Sequence, residues 1–167
     1  MFDFAIRVST PVDEASVNEL LQASYPELMS TTYDAAILAN ALPLFTKANP
    51  SLLSAGTYYL AESTDLGVVG CGGWTRERPG TGEIVPALGH IRHFGTHASC
   101  TGRGVGRSIY ALCEADARSA GIQRFECYSS LNAHGFYAAL GFSPVREIEV
   151  NLSPSVTIPG VFMVRPI

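Results

Sequence analysis

The tightest constraint on what this chain can fold into is the stretch CTGRGVGRSIY, Cys100 to Tyr110, where Gly102, Gly104 and Gly106 stand at every second position. Before it, ALGHIRHFGTH (Ala87 to His97) reads as a strand. After it, Val105 to Ala120 places Val105, Ile109, Leu112 and Cys113 on one helical face and stops at Gly121. RFECYSS (Arg124 to Ser130) is then a further strand. Strand, helix and strand in that order form a crossover unit, which sets two strands parallel in one sheet. Bare backbone at the helix start serves one of two purposes. It permits a tight turn between packed elements, or it lets unpaired N–H groups at the positive end of a helix approach a phosphate. The run alone leaves both open.

The remaining segments supply the rest of a sheet. FAIRVST (Phe4 to Thr10) alternates as a first strand, and Thr10, Pro11 and Asp13 signal the helix that follows. That helix carries Val17, Leu20, Leu21 and Ser24 on one face and is expected to end at Pro26. A second helix is expected from Tyr33 to Leu42, stopping before Pro43, and SLLSAG forms a helical turn closed by Gly56. TYYLAES (Thr57 to Ser63) and GVVGCGGWTRE (Gly67 to Glu77) read as a hairpin. AHGFYAAL (Ala133 to Leu140) is a short helix, and VREIEVNL and GVFMVRP are two final strands. The order is β-α-α-β-β-β-α-β-α-β-β. It predicts an α/β fold with a mixed, mostly antiparallel sheet of about seven strands and flanking helices, in one domain over residues 1–167.

Composition narrows the function. With 47% hydrophobic and 16% charged residues, the chain can bury a core. A net charge of -4 argues against a nucleic-acid surface but not against a local arginine pair holding one phosphorylated molecule. The cysteines Cys71, Cys100, Cys113 and Cys127 form no CxxC pair. No leader is expected at the N-terminus, and AAILANALPLF, broken by Asn40 and Pro43, is too short to span a bilayer. A cytoplasmic protein without membrane contact is the expectation. His93 and His97, roughly 13 Å apart on an extended strand, could not share one ion, so no metal site is expected.

HFGTHASCTGRGVGRSIY (His93 to Tyr110) and SLNAHGFYAALGF (Ser130 to Phe142), separated by one helix and one strand, resemble the two signature segments of the GCN5-related N-acetyltransferase (GNAT) superfamily. The resemblance in element order covers nearly the full length. It implies an enzyme that moves acetyl from acetyl-CoA to an amine, and it leaves room for a homodimer. In the family the first segment, Arg/Gln-x-x-Gly-x-Gly/Ala, holds the pyrophosphate of acetyl-CoA. The matching positions are Gly102, Arg103, Gly104, Val105, Gly106 and Arg107, with Thr101 where the family has Arg or Gln. The strand before it pairs with the pantetheine arm, which implicates Phe94, Gly95 and Thr96. The second segment implies Tyr137 as proton donor to the leaving thiolate and Asn132 as a contact to the pantetheine arm, although Asn132 could equally cap a helix.

The base is less determined. The strand Ala87 to His97 has no carboxylate but holds His90 and His93. At three positions apart these are expected on opposite faces, so only one reaches the site. His93 is taken as the candidate, with Glu83 and Glu126 as further ones. Cys100 and Cys127 lie near the motifs without an evident paired base, which disfavours a covalent intermediate. For the acceptor the resemblance points to Tyr25, Tyr33, Trp74 and Arg76, each with a packing or surface role as the alternative. A small-molecule amine is the leading acceptor, with protein amines or a non-catalytic acyl-CoA-binding module as alternatives.

Overall fold

The computed structural model describes residues 2–167. Strand β1 (Ala5–Val8) leads through a short 3₁₀ turn into α1 (Glu14–Met29), followed by α2 (Ala35–Phe45) and the single turn α3 (Pro50–Leu53). Then come β2 (Tyr58–Ser63), β3 (Gly67–Thr75), β4 (Leu88–Thr96), α4 (Val105–Ser119), β5 (Arg124–Ser130), α5 (His134–Ala139), β6 (Ser143–Ser153) and β7 (Val156–Pro166). The seven strands form one sheet in the order β1-β2-β3-β4-β5-β7-β6. Only β4 and β5 run parallel, joined by α4 as the crossover; every other pair is antiparallel. The α/β class and mixed sheet expected from the sequence are those of the molecule.

Helix α4 lies on one face. Its buried Val105, Ile109, Cys113 and Ala117 pack with Val69, Trp74 and Phe125. Leu112, expected on the same stripe, is 41% exposed, because α4 buries a narrower arc than its apolar residues occupy. Close approach requires Gly70 on β3, where a Cβ would collide with Val105. On the other face, Val17, Leu20 and Leu21 of α1 pack on Tyr58, Leu60 and Cys71.

Two prolines do not end their helices. Helix α1 continues through Pro26 to Met29, and α2 through Pro43 to Phe45. Met29, Tyr33, Leu38 and Ala41 form one cluster with Ile158 of β7. Burying those side chains outweighs the single backbone hydrogen bond that each proline removes near a helix end. Among the described residues no helix is long and apolar enough to cross a membrane.

Candidate active site

The pairing between β4 and β5 lasts three rungs: Leu88 with Arg124, Gly89 with Phe125, and His90 with Glu126. Beyond them β4 stays on β3 and β5 on β7, so the sheet opens. Ile91–Thr96 on one side and Cys127–Ser130 on the other line a cleft of about 1500 Å³. This leaves an inner strand edge with amide groups available to an extended ligand.

A bulge shapes that edge. The β3–β4 register slips between Cys71 and Gly73 of β3, leaving one extra residue in β4, and His93 takes a left-handed backbone with φ 47°. One extra residue shifts the alternation, so His90 and His93 do not lie on opposite faces as spacing predicted. His90 and Arg92 sit opposite Thr75 and Gly73 on the α1 side, and His93 follows them there, its ring beside Tyr25 at 5.9 Å between centroids. Two phenols hold the bulge. Tyr58 donates to the His93 carbonyl at 2.7 Å and Tyr25 to the Phe94 carbonyl at 2.6 Å. Tyr58, fully buried and absent from the sequence-derived candidates, had no signal beyond a strand aromatic.

His93 Nε2 lies 3.1 Å from the Phe45 carbonyl. A carbonyl only accepts, so Nε2 carries the proton and Nδ1 is the atom free to take one. Burial lowers the affinity of this imidazole for a second proton, opposed by the Phe45 bond. His90 is also pushed towards its neutral form by burial, but it sits beside Glu126 in the β4–β5 pairing rather than in the cleft wall, and its Nε2 has no partner among the described residues. Glu126 is buried and faces Arg78 and Arg124 at 3.6 and 3.5 Å, while Glu83, ion-paired to Arg78, is half exposed; neither lines the cleft.

At the far end of the cleft, the glycine run becomes the N-terminus of α4. Gly102 and Gly104 adopt φ of 74° and 83°, and Gly104 caps the helix. The first intrahelical donor is Ser108, bonded to the Gly104 carbonyl at 3.0 Å, so the amides of Val105, Gly106 and Arg107 have no helical acceptor. A Cβ on Gly104 would meet nothing within 4 Å, whereas one on Gly106 would press on Phe136 at 2.8 Å. The two glycines therefore serve different ends: Gly104 leaves open space, and Gly106 lets α5 approach. Arg107 lines the cleft; Arg103 instead stacks over Phe2 at 4.9 Å and does not.

Tyr137 of α5 reaches the cleft among Phe94, Phe136 and Phe142. Burial holds its hydroxyl well above the usual phenol range, with the Cys127 thiol beside it adding to the effect. Burial likewise pushes the Cys127 thiol up to about 12, so it is no thiolate nucleophile at neutral pH. Asn132 lines the same wall and caps no helix; the caps are Ser130 and Ala133. Its Oδ1 is buried without a partner among the described residues, which suits an amide-bearing ligand.

Of the residues considered for the acceptor, only Tyr25 lines the cleft. Tyr33 donates to the Pro159 carbonyl and accepts from the Leu131 amide, tying the α1–α2 connection to β7 and to the turn after β5. Trp74 donates to Asp116 at 3.0 Å inside the α4 layer, and Arg76 donates to the Ala120 carbonyl on the surface. Arg78, Arg92, Ser24 and Glu149 line the cleft instead. They lie on a helix face, a loop and strand faces that no motif marks. Among the described residues no cluster of three or more metal-ligating side chains occurs.

The sheet thus parts between its two parallel strands, with a helix N-terminus at one end of the gap and a buried phenol lining it. The profile of the Acetyltransferase (GNAT) family matches residues 15–142, and the chain belongs to that family. A GCN5-related N-acetyltransferase from Rhodopseudomonas palustris superposes with a TM-score of 0.74 at 20% identity, over 100% of this chain and 98% of its own. The PaiA N-acetyltransferase of Thermoplasma acidophilum, solved with coenzyme A, gives 0.71 at 14% identity over 99% of each chain. A Mycobacterium tuberculosis protein solved with CoA gives 0.63 at 20%, over 98% and 99%. At such identities the likeness establishes a shared fold. No curated protein matches the chain.

Proposed function

We propose that the protein is an acetyl-CoA-dependent N-acetyltransferase that moves acetyl directly from the thioester to a primary amine of a small molecule. The observation that carries this reading is the continuous opening from the bare amides of α4 to Tyr137, between β4 and β5. The amides of Val105, Gly106 and Arg107, with the Arg107 guanidinium, bind the pyrophosphate at the positive end of the helix. The open edge of β4 from Phe94 to Thr96 takes the pantetheine arm as an added strand, and Asn132 pairs with one of its amides. A β4 amide donates to the thioester carbonyl as negative charge develops there.

In the reaction a C–N bond forms as the C–S bond breaks. Tyr137 gives its proton to the departing sulfur, and the same desolvation that keeps the phenol protonated raises the proton affinity of that sulfur. His93 Nδ1 receives the proton that the amine must lose. The CoA complexes of the Thermoplasma and Mycobacterium proteins support the choice of cosubstrate by analogy.

Calorimetric titration of acetyl-CoA and CoA into wild type, Gly104→Ala and Gly104→Trp tests the reading. Both substitutions strain the left-handed cap, but only tryptophan fills the open space. Wild type and the alanine variant should bind, and the tryptophan variant should not while remaining folded. Absence of binding in wild type would remove the assignment. Release of thiol on adding amines then separates an enzyme from a module that only binds.

A further inference from the structure

We infer that the acceptor amine carries a carboxylate, held by the guanidinium of Arg92 on the α1 side of the cleft. This rests on the acyl-transfer reading above. The cleft is lined by three arginines, Arg78, Arg92 and Arg107, and one carboxylate, Glu149. Arg107 belongs to the start of α4. Arg78 is already neutralised, with Glu83 at 3.0 Å and Glu126 at 3.6 Å. Arg92 makes no ion pair among the described residues.

What Arg92 has instead is an anchor. Its Nη1 donates to Thr75 Oγ1 at 3.0 Å, and that hydroxyl donates in turn to the Glu77 carbonyl at 2.8 Å. The threonine proton is thereby turned away and its lone pair turned to the guanidinium. One of five N–H donors is used and the fork is fixed in place. Burial depresses its charged form, and the field of the Glu77 carboxylate partly offsets this without an ion pair. A half-buried cation with unused donors is costly unless an anion completes it, and a planar carboxylate matches the fork.

Position decides which ligand that anion belongs to. Arg92 lies on the face of β4 that carries His93, away from the α4 layer, so it is remote from the glycine run that would hold the cosubstrate phosphates. Along the strand it precedes Phe94 by two residues across the bulge, so their backbones are at most about 7 Å apart. An amine attacking at Phe94 and a carboxylate at Arg92 therefore belong to one compact molecule. Leu28, Met29 and Phe45 add apolar lining to the same cleft, and Phe45 adjoins His93. The class so defined is an amino acid with an apolar side chain. A polyamine would set cationic charge against Arg92, while Glu149, exposed on the β6 rim, is screened by water.

The test uses N-acetyl-leucine, N-acetyl-leucinamide and O-phosphoethanolamine as probes in calorimetry, beside turnover with leucine and leucinamide. Wild type should bind the acid at least about tenfold more tightly than the amide, as a charge-assisted bidentate pair allows. Arg92→Gln should abolish that preference and leave acetyl-CoA affinity unchanged. Arg92→Lys and Thr75→Val, which keep the charge but lose the fork or its anchor, should retain part of it. Equal binding of acid and amide, binding of neither, tighter binding of the phosphate probe, or weaker acetyl-CoA binding in Arg92→Gln would each overturn the inference. Acid binding without any turnover would instead sink the acyl-transfer reading and leave the carboxylate site standing.

Discussion

On the proposed function Tyr137 and His93 divide the proton chemistry, and each offers a variant that changes chemistry with little change in fold. Tyr137→Phe keeps the ring among Phe94, Phe136 and Phe142 and deletes only the hydroxyl. Turnover should fall by about 10²-fold, with acetyl-CoA affinity within a factor of about three, since general-acid donors contribute on that scale. His93→Asn suits the left-handed backbone at φ 47°, which asparagine tolerates better than most residues. It should lower kcat with acetyl-CoA affinity retained, and an amine supplied largely deprotonated at high pH should recover part of the loss. An unchanged kcat across pH would remove His93 from the mechanism. Motif matching could name Tyr137 because its signature is local. It could not name the phenols that fix the bulge, because Tyr25 and Tyr58 lie 69 and 35 positions from the carbonyls they hold.

Element by element, the sequence foretold where strands and helices occur and missed where neighbours overrule them. β5 falls on the expected Arg124–Ser130. The ends of α1 and α2 do not, because burial of Met29 and its partners is a tertiary contribution invisible in a proline count. The relation of His90 to His93 was misjudged because a strand period assumes no inserted residue. Packing between elements also makes Gly106 sensitive in a way its motif does not suggest. Gly106→Ala drives a Cβ into Phe136, so α5 must move. That should cost about 1–3 kcal/mol by urea denaturation and weaken acetyl-CoA binding by shifting Tyr137.

At the junction of β1 and α1, Arg7 grips both oxygens of Asp13 at 2.9 and 2.7 Å, and Asp13 also accepts from the Thr10 amide at 2.8 Å. The guanidinium holds this carboxyl at about 2. Because the folded value lies below the unfolded one, the contribution is present above about pH 4 and is lost as pH falls from there towards 2. Discounted for the exposed guanidinium, it is about 1–2 kcal/mol. Asp13→Asn should therefore trail wild type by that amount at pH 7 in denaturant melts, and the gap should close near pH 2.

Across the whole molecule, β1 to β4 form one antiparallel half and β5 to β7 another, tied in the sheet by three rungs and bridged by α4. On the proposed function, acetyl-CoA fills the gap between the halves and binds only the folded chain. At a concentration about 100 times its Kd it should add about 2.7 kcal/mol, which for a chain of this size raises Tm by about 5–10 °C. A scanning calorimeter gives the number, and no shift would mean that the gap is not where the cosubstrate sits. The seam also sets a rhythm. On that same proposal each round of product release empties the gap and the next loading refills it, so the protein should be at its most fragile in the interval between release and reloading. Its lifetime against a protease should then follow the supply of acetyl-CoA, and a starved enzyme should be cut sooner than a busy one.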